Sequence, residues 1–212
     1  MVTRRRMIAL TGAAAMGAVG AGYSPVNAKK KRKVVTKIFS NTASISLPDD
    51  GKSTPYPVPI KVSGLKKGKI QKVRVHLNGF THLAPDNVDI LLSASQLPGV
   101  NAIIMSDVGG AFAVNGVNLT LDDEAATPLP DNAQLTTGTY KPANYSGTAD
   151  AFEPPAPTPS GNSLLSVFNG QNPNGEWQLW IDDWVGNNPG SFSGGWSIEI
   201  TAQVKKKKKK KK

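Results

Sequence analysis

Short apolar stretches that alternate with polar residues constrain the fold of this chain most. In the clearest of them, Val73, Val75 and Leu77 are separated by polar residues, a period of two that is typical of a half-buried strand. Turn residues interrupt these stretches, and the chain has 21 Gly and 16 Pro. No helical periodicity appears outside the N-terminal region, so crossover helices are not expected. The pattern predicts an all-β, antiparallel jelly-roll β-sandwich of about nine or ten strands.

The first 28 residues predict an export signal. Residues Thr3 to Ile8 read Thr-Arg-Arg-Arg-Met-Ile, which fits a twin-arginine motif. A weakly apolar, glycine-rich stretch follows, and Val26-Asn27-Ala28 supplies small residues for cleavage. A general secretory signal is the alternative, and an ordinary helix is disfavoured by the glycines. We therefore expect a secreted or cell-surface protein.

Basic residues concentrate at the two ends of the chain. The net charge is +10, yet residues 34 to 204 hold nine basic and all 15 acidic residues, about −6. The expected organisation is a basic linker at 29–36, a β-sandwich at 37–203 and a disordered lysine tail at 204–212. The lysines could bind acidic envelope polymers or lipids, or only solubilise the chain. No specific nucleic-acid partner is expected, because the cations do not lie on the fold among aromatic residues.

Two tryptophan-containing segments near the C-terminus predict the structural centre of the fold. In an extended strand, Trp177, Leu179, Ile181 and Asp183 share one face. After a turn that ends near Gly190, Trp196 begins a second alternating segment. We expect the two segments to form a hairpin that buries both indoles.

These segments resemble a known family. Residues 175–183 read Gly-Glu-Trp-Gln-Leu-Trp-Ile-Asp-Asp, and residues 195–200 read Gly-Trp-Ser-Ile-Glu-Ile. The strand at 73–82 ends in Thr-His, and Asn87-Val88-Asp89-Ile90 begins the next. Together they resemble the P domain (P/Homo B domain) of proprotein convertases and related bacterial subtilisin-like proteases, over residues 37–203. Asn87 departs from the pattern, since many members have Asp there.

The resemblance implies a galactose-binding-like sandwich that accompanies a serine endopeptidase, whose catalytic domain we do not expect in this chain. The candidate catalytic residues in the sequence support the same expectation. Only His76 and His82 could act as a general base, and no Gly-x-Ser-x-Gly elbow occurs. We expect a non-catalytic module with a binding, stabilising or structural role, with a protease in trans as one possible partner.

Three aspartates predict a metal site. Asp86, Asp89 and Asp107 flank neighbouring predicted strands, and carboxylate oxygens are the ligands that calcium prefers. A further acidic cluster lies at residues 122–124. Turn capping and solubility are the alternative role for all of these carboxylates.

A second candidate site consists of aromatic residues. If Trp177 faces the core, Trp180 and Trp184 face outward, with Asp182 between them. Exposed indoles beside a carboxylate suit a sugar ring, so a carbohydrate-binding module is the alternative function. The other possibility is that the proline-rich loop at 142–162 covers these indoles.

Overall fold

The structure is a computed structural model that describes residues 32–145, 150–186 and 188–206. The predicted export signal at 1–28 and the lysines at 207–212 lie outside the described residues. Within them the all-β fold is confirmed. No helix of the described ranges is both long and apolar enough to cross a membrane.

The described residues form 13 strands, more than the nine or ten expected, because several are short edge strands. Two short 3-10 helices, Pro85–Asn87 and Leu165–Phe168, interrupt them. In chain order the strands are β1 (Arg32–Asn41), β2 (Ile45–Leu47), β3 (Gly51–Lys52), β4 (Val58–Val62), β5 (Lys69–His82), β6 (Val88–Ala94), β7 (Asn101–Ser106), β8 (Val114–Leu121), β9 (Gly138–Tyr140), β10 (Ala143–Asn144), β11 (Gly175–Asp183), β12 (Gly190–Phe192) and β13 (Trp196–Lys205).

The strands form two sheets. The first has the order β1-β13-β5-β12-β2, with β8 also on β5 and β9 on β8. The second has the order β10-β7-β6-β11-β3, with β4 also on β11. Most pairs are antiparallel as expected, but β7–β10 and β8–β9 are parallel. In the second case the long loop after Leu121 brings the chain back so that β9 runs alongside the last three residues of β8, Leu119 to Leu121.

The core lies between the two sheets and contains the largest apolar side chains. Trp177, Trp196, Phe80, Phe168 and Phe192 are all fully buried. The expected Trp177–Trp196 hairpin is wrong: β11 belongs to the second sheet and β13 to the first. Alternating apolar residues bury one face of a strand whether the next strand lies beside it in the same sheet or in the facing sheet. The pattern therefore could not distinguish a hairpin from two strands in opposite sheets.

The ends of the sandwich are longer than expected. β1 begins at Arg32, inside the segment expected as a linker, and β13 continues to Lys205. Arg32 pairs with Lys205 and Lys33 with Val204, so the first and last strands of the described chain pair with each other along their terminal residues. Backbone hydrogen bonding extends both strands there despite the like charges of their side chains.

Candidate functional site

A buried histidine–aspartate contact joins the two sheets at one end of the sandwich. His82 ends β5 in the first sheet, and Asp183 ends β11 in the second. His82 Nε2 lies 2.8 Å from Asp183 Oδ2, and neither side chain is exposed. His82 Nδ1 lies 2.9 Å from the carbonyl oxygen of Ala84. The sequence pattern did not indicate that Asp183 is the partner of His82. A buried aspartate at the end of an apolar strand face needs a polar partner, because burying a carboxylate without one is costly.

Gly190 lies directly against this contact. A Cβ added at Gly190 would lie 2.6 Å from the carbonyl oxygen of Thr81. It would also meet the ring of His82, at 2.4 Å from Cδ2. The carbonyl is backbone and cannot move away, so the close approach of β12 to the end of β5 beside it requires a glycine here.

The other residues assigned a structural role are in the core. Trp177, Leu179, Ile181 and Trp196 are all fully buried. Trp177 Nε1 donates a hydrogen bond of 3.0 Å to the carbonyl oxygen of Pro173. Its ring meets Phe168 edge-on at 4.8 Å between centroids, which fixes both the position and the orientation of the indole.

Three aspartates come together near the same end. Single carboxylate oxygens of Asp89, Asp107 and Asp150 all lie within 4.8 Å of one another. Asp89 and Asp107 were expected at a metal site. Asp86 does not join this group, and its place is taken by Asp150, which lies in a loop whose position no sequence pattern indicates. Oxygen ligands at this spacing could hold a divalent cation such as calcium.

The electrostatics of this group favour either a proton or a cation. Burial raises the pKa of Asp89 to about 7, and repulsion by Asp150 and Asp107 adds to the increase, although hydrogen bonds from Ser106 and Trp184 oppose it. The pKa of Asp86 is also raised, first by burial and then by Asp107. A buried carboxylate crowded by two others, as Asp89 is, binds a proton more tightly, and a bound calcium ion would relieve the same repulsion.

The acidic residues at 122–124 serve other purposes. Asp122 forms ion pairs with Lys72 at 2.9 Å and with Arg74 at 2.6 Å. Asp123 accepts hydrogen bonds from the backbone N–H groups of Leu165 and Ser166, at the start of a 3-10 helix. These carboxylates are occupied by protein partners, which fits the alternative of capping and ion pairing.

The expected aromatic platform is wrong for Trp180. This indole is only 4% exposed, and its Nε1 donates a hydrogen bond of 2.8 Å to Ser93 Oγ. The Tyr56 ring packs edge-on against the indole, with 5.0 Å between the ring centroids. Phe152 and Ala156 of the proline-rich loop pack against the small apolar cluster that Trp180 forms with Leu91 and Ile103. The loop therefore covers the face of the sheet on which Trp180 lies.

Asp182 is buried beneath the same loop. Its Oδ2 accepts hydrogen bonds of 3.1 Å from the Tyr56 hydroxyl and from the backbone N–H of Glu153. These bonds fasten the loop to β11. Trp184, at 45% exposure, is the one indole of the expected pair that faces solvent, so the two tryptophans do not form a sugar platform.

Comparisons with known proteins add no relative. A scan against protein-family models, a search of curated proteins and a search of solved structures each find no match to this chain. The resemblance to P domains therefore depends on the motifs quoted above.

Calcium is expected to raise the melting temperature. At millimolar calcium we expect an increase of several degrees over the protein in chelator, because the ion binds the folded state and not the unfolded chain. Asp107→Asn and Asp150→Asn should reduce the increase, whereas the exposed Asp50→Asn should leave it unchanged. Differential scanning fluorimetry measures the effect. Equal melting temperatures in calcium and chelator would show that the aspartates bind no calcium.

The pH dependence of the metal-free protein tests Asp89 separately. The pKa of Asp89 is about 7 in the folded protein, above its ordinary value of 3.8. The folded state thus binds the proton more tightly, and the resulting stability is full below about pH 4 and lost as the pH rises through 7. In chelator, the melting temperature should fall over this window relative to that of Asp89→Asn. Parallel curves for the two proteins would contradict the assignment.

Proposed function

We propose that this chain is an exported, non-catalytic module of the P-domain type, with a binding, stabilising or structural role at the cell envelope. The observation that supports it best is the contact between His82 and Asp183. Thr-His and the closing Trp-x-Leu-x-Ile-x-Asp segment are the parts of the sequence that carry the resemblance, and here their last residues meet in the core. By this resemblance, a subtilisin-like protease in trans is a candidate partner.

The environments of the two histidines support a role without catalysis. A general base must reach the proton that it abstracts from a substrate or nucleophile. His82 is fully buried with both ring nitrogens beside protein oxygens. His76 Nδ1 lies 3.0 Å from Thr120 Oγ1, and burial lowers the pKa of His76. Among the described residues, the hydrogen-bond contacts of the two histidines are with Thr120, Ala84 and Asp183, and none is with a serine.

Cell fractionation tests the proposed location and export route. We expect the chain in the envelope or outside the cell, and Arg4→Lys/Arg5→Lys to retain it inside, since a twin-arginine route reads these side chains while the charge is unchanged. Arg6→Lys, at the unspecified position of the motif, is the matched control. Normal export of the double variant would exclude the twin-arginine route, and a wild-type chain found only inside the cell would exclude the envelope role. In a parallel assay the purified chain should not hydrolyse casein; turnover that His76→Gln abolishes would contradict a non-catalytic role.

A further inference from the structure

β1 (Arg32–Asn41) has the longest free strand edge in the described part of the structure. It is the terminal strand of the first sheet, and its ladder is with β13 alone. No other backbone hydrogen bond among the described residues involves this strand. In an antiparallel ladder every second residue directs its N–H and C=O groups to the opposite side, so β1 presents a row of these groups along its free edge.

The other edges of the two sheets are protected against pairing with another chain. The remaining terminal strands, β2, β3, β4, β9 and β10, have only two to five residues each. β4, the longest of them, contains Pro59, which has no N–H group for another strand. Short strands and prolines are common protection for a sheet edge, whereas β1 has ten residues and no proline.

Two exposed aliphatic side chains lie on the outer face of β1, with Thr36 midway between them. Val34 and Ile38 are 57% and 59% exposed, and alternation puts both on the same face as Thr36. Val35 and Phe39 face the other way and pack against the core. The outer face therefore has the same order in both directions from Thr36, threonine and then an aliphatic residue.

We propose that β1 pairs with β1 of a second copy of this chain, antiparallel about a two-fold axis at Thr36. In this register Thr36 lies opposite Thr36 of the second copy, and Val34 lies opposite Ile38 on each side of the axis. The four aliphatic side chains form one cross-strand cluster, which removes apolar surface from water. The new ladder also supplies partners for the backbone groups along the free edge, and the two first sheets become one continuous sheet.

The positions of the lysines favour the antiparallel arrangement. Lys33 lies opposite Phe39 of the second copy and Lys37 opposite Val35, so no two lysines are directly opposed. The ammonium of Lys37 reaches the turn at Gly64, where it would lie 3.2 Å from an added Cβ. Lys33 of one copy is six residues along the ladder from Lys33 of the other, roughly 20 Å or about two screening lengths at moderate salt. A parallel pair would put the basic starts of both strands side by side.

The interface is small, which determines the affinity that we expect. One strand edge and one aliphatic cluster lie at the low end of specific protein interfaces, below about 1,200 Å² in total. We therefore expect a dimer that dissociates on dilution, with a Kd in the micromolar range. This pairing does not depend on the envelope role proposed above, and its failure would leave the export result standing.

Disulfide crosslinking of the purified full chain tests the register, because the chain has no cysteine. Thr36→Cys places two thiols at the axis, where the Cβ atoms of opposed residues are about 4.5–5.5 Å apart. Mild oxidation should form covalent dimers at least about tenfold faster than for Ser46→Cys, at the exposed centre of β2 on the opposite edge of the sheet. Val34→Cys should crosslink to Ile38→Cys in a mixture but not to itself. Equal rates for the Thr36 and Ser46 variants would mean random collision and would overturn the proposal.

Analytical ultracentrifugation measures the association of the unmodified chain. Thr36→Lys should raise the Kd at least about tenfold, because it opposes two ammonium groups at the axis, whereas Ser46→Lys adds the same charge and should change the Kd less than about twofold. Circular dichroism of each variant checks that the fold is intact. A wild-type chain that stays monomeric up to about 1 mM would overturn the proposal.

The salt dependence distinguishes strand pairing from association through the lysine-rich ends. Each copy has a net charge of +10, and Lys37 lies diagonally across the ladder from Lys37 of the second copy. Higher salt screens this repulsion and should strengthen the dimer. A dimer that weakens as salt rises would mean that the lysines of one copy bind carboxylates of the other, which would overturn the proposal.

Discussion

Replacing Trp177 with alanine is expected to lower the free energy of unfolding by about 3–5 kcal/mol, the usual cost of truncating a fully buried aromatic residue. β11 pairs with β4 on one side and β6 on the other, with Trp177 opposite Ile60 and Ala94. The substitution removes the packing against Phe168 and also the hydrogen bond to Pro173. The cavity would lie between central strands, where neighbouring backbone cannot close it.

Urea denaturation at equilibrium measures this effect, and Trp184→Ala provides the matched control. Trp184 follows the same strand, but its indole is 45% exposed, so its truncation should cost less than that of Trp177, about 1–2 kcal/mol including the loss of its hydrogen bond to Asp89. The ratio of the two losses in unfolding free energy reports how deeply each indole is buried in the sandwich. Similar losses would contradict the arrangement in which Trp177 faces the core and Trp184 faces solvent.

Local alternation predicted which side chains face the core. Val73, Val75 and Leu77 are buried as their spacing indicates, and so are Trp196 and the apolar residues after it. This succeeds because side-chain direction in a strand depends only on the parity of the position. The same parity correctly put Trp180 on the outer face of its sheet.

Contacts between distant segments could not be predicted in this way. The outer face at Trp180 is covered by the loop that contains Phe152, and nothing in the alternation of β11 indicates a cover. Asp150 reaches Asp89 and Asp107 through the same loop. The assignment of β11 and β13 to opposite sheets likewise depends on how the chain passes from β11 in the second sheet to β12 in the first. Each of these contacts depends on loop geometry, which has no periodic pattern in the sequence.

Removing either partner of the His82–Asp183 contact is expected to destabilise the protein by about 3–5 kcal/mol, because the facing polar atom of the other residue is then buried without its partner. Asp183→Ala leaves His82 Nε2 buried without its hydrogen-bond partner, whereas Nδ1 keeps its contact with Ala84. His82→Ala leaves a buried carboxylate. The double variant should lose less than the sum of the two single losses, since the uncompensated group is removed as well.

The exposed ion pair between Lys52 and Glu153 is the matched control for this double-mutant cycle. Its nitrogen–oxygen distance is 3.7 Å, and about half of each side chain is exposed. Solvent screening should keep its coupling energy below about 1 kcal/mol, whereas His82 and Asp183 should couple by several times that. A coupling no larger than that of the exposed pair would mean that the contact between His82 and Asp183 joins the two sheets no more strongly than an exposed ion pair would. The contact between the two motifs would then contribute little to the stability of the fold. The proposal of a P-domain-type module would lose its strongest support.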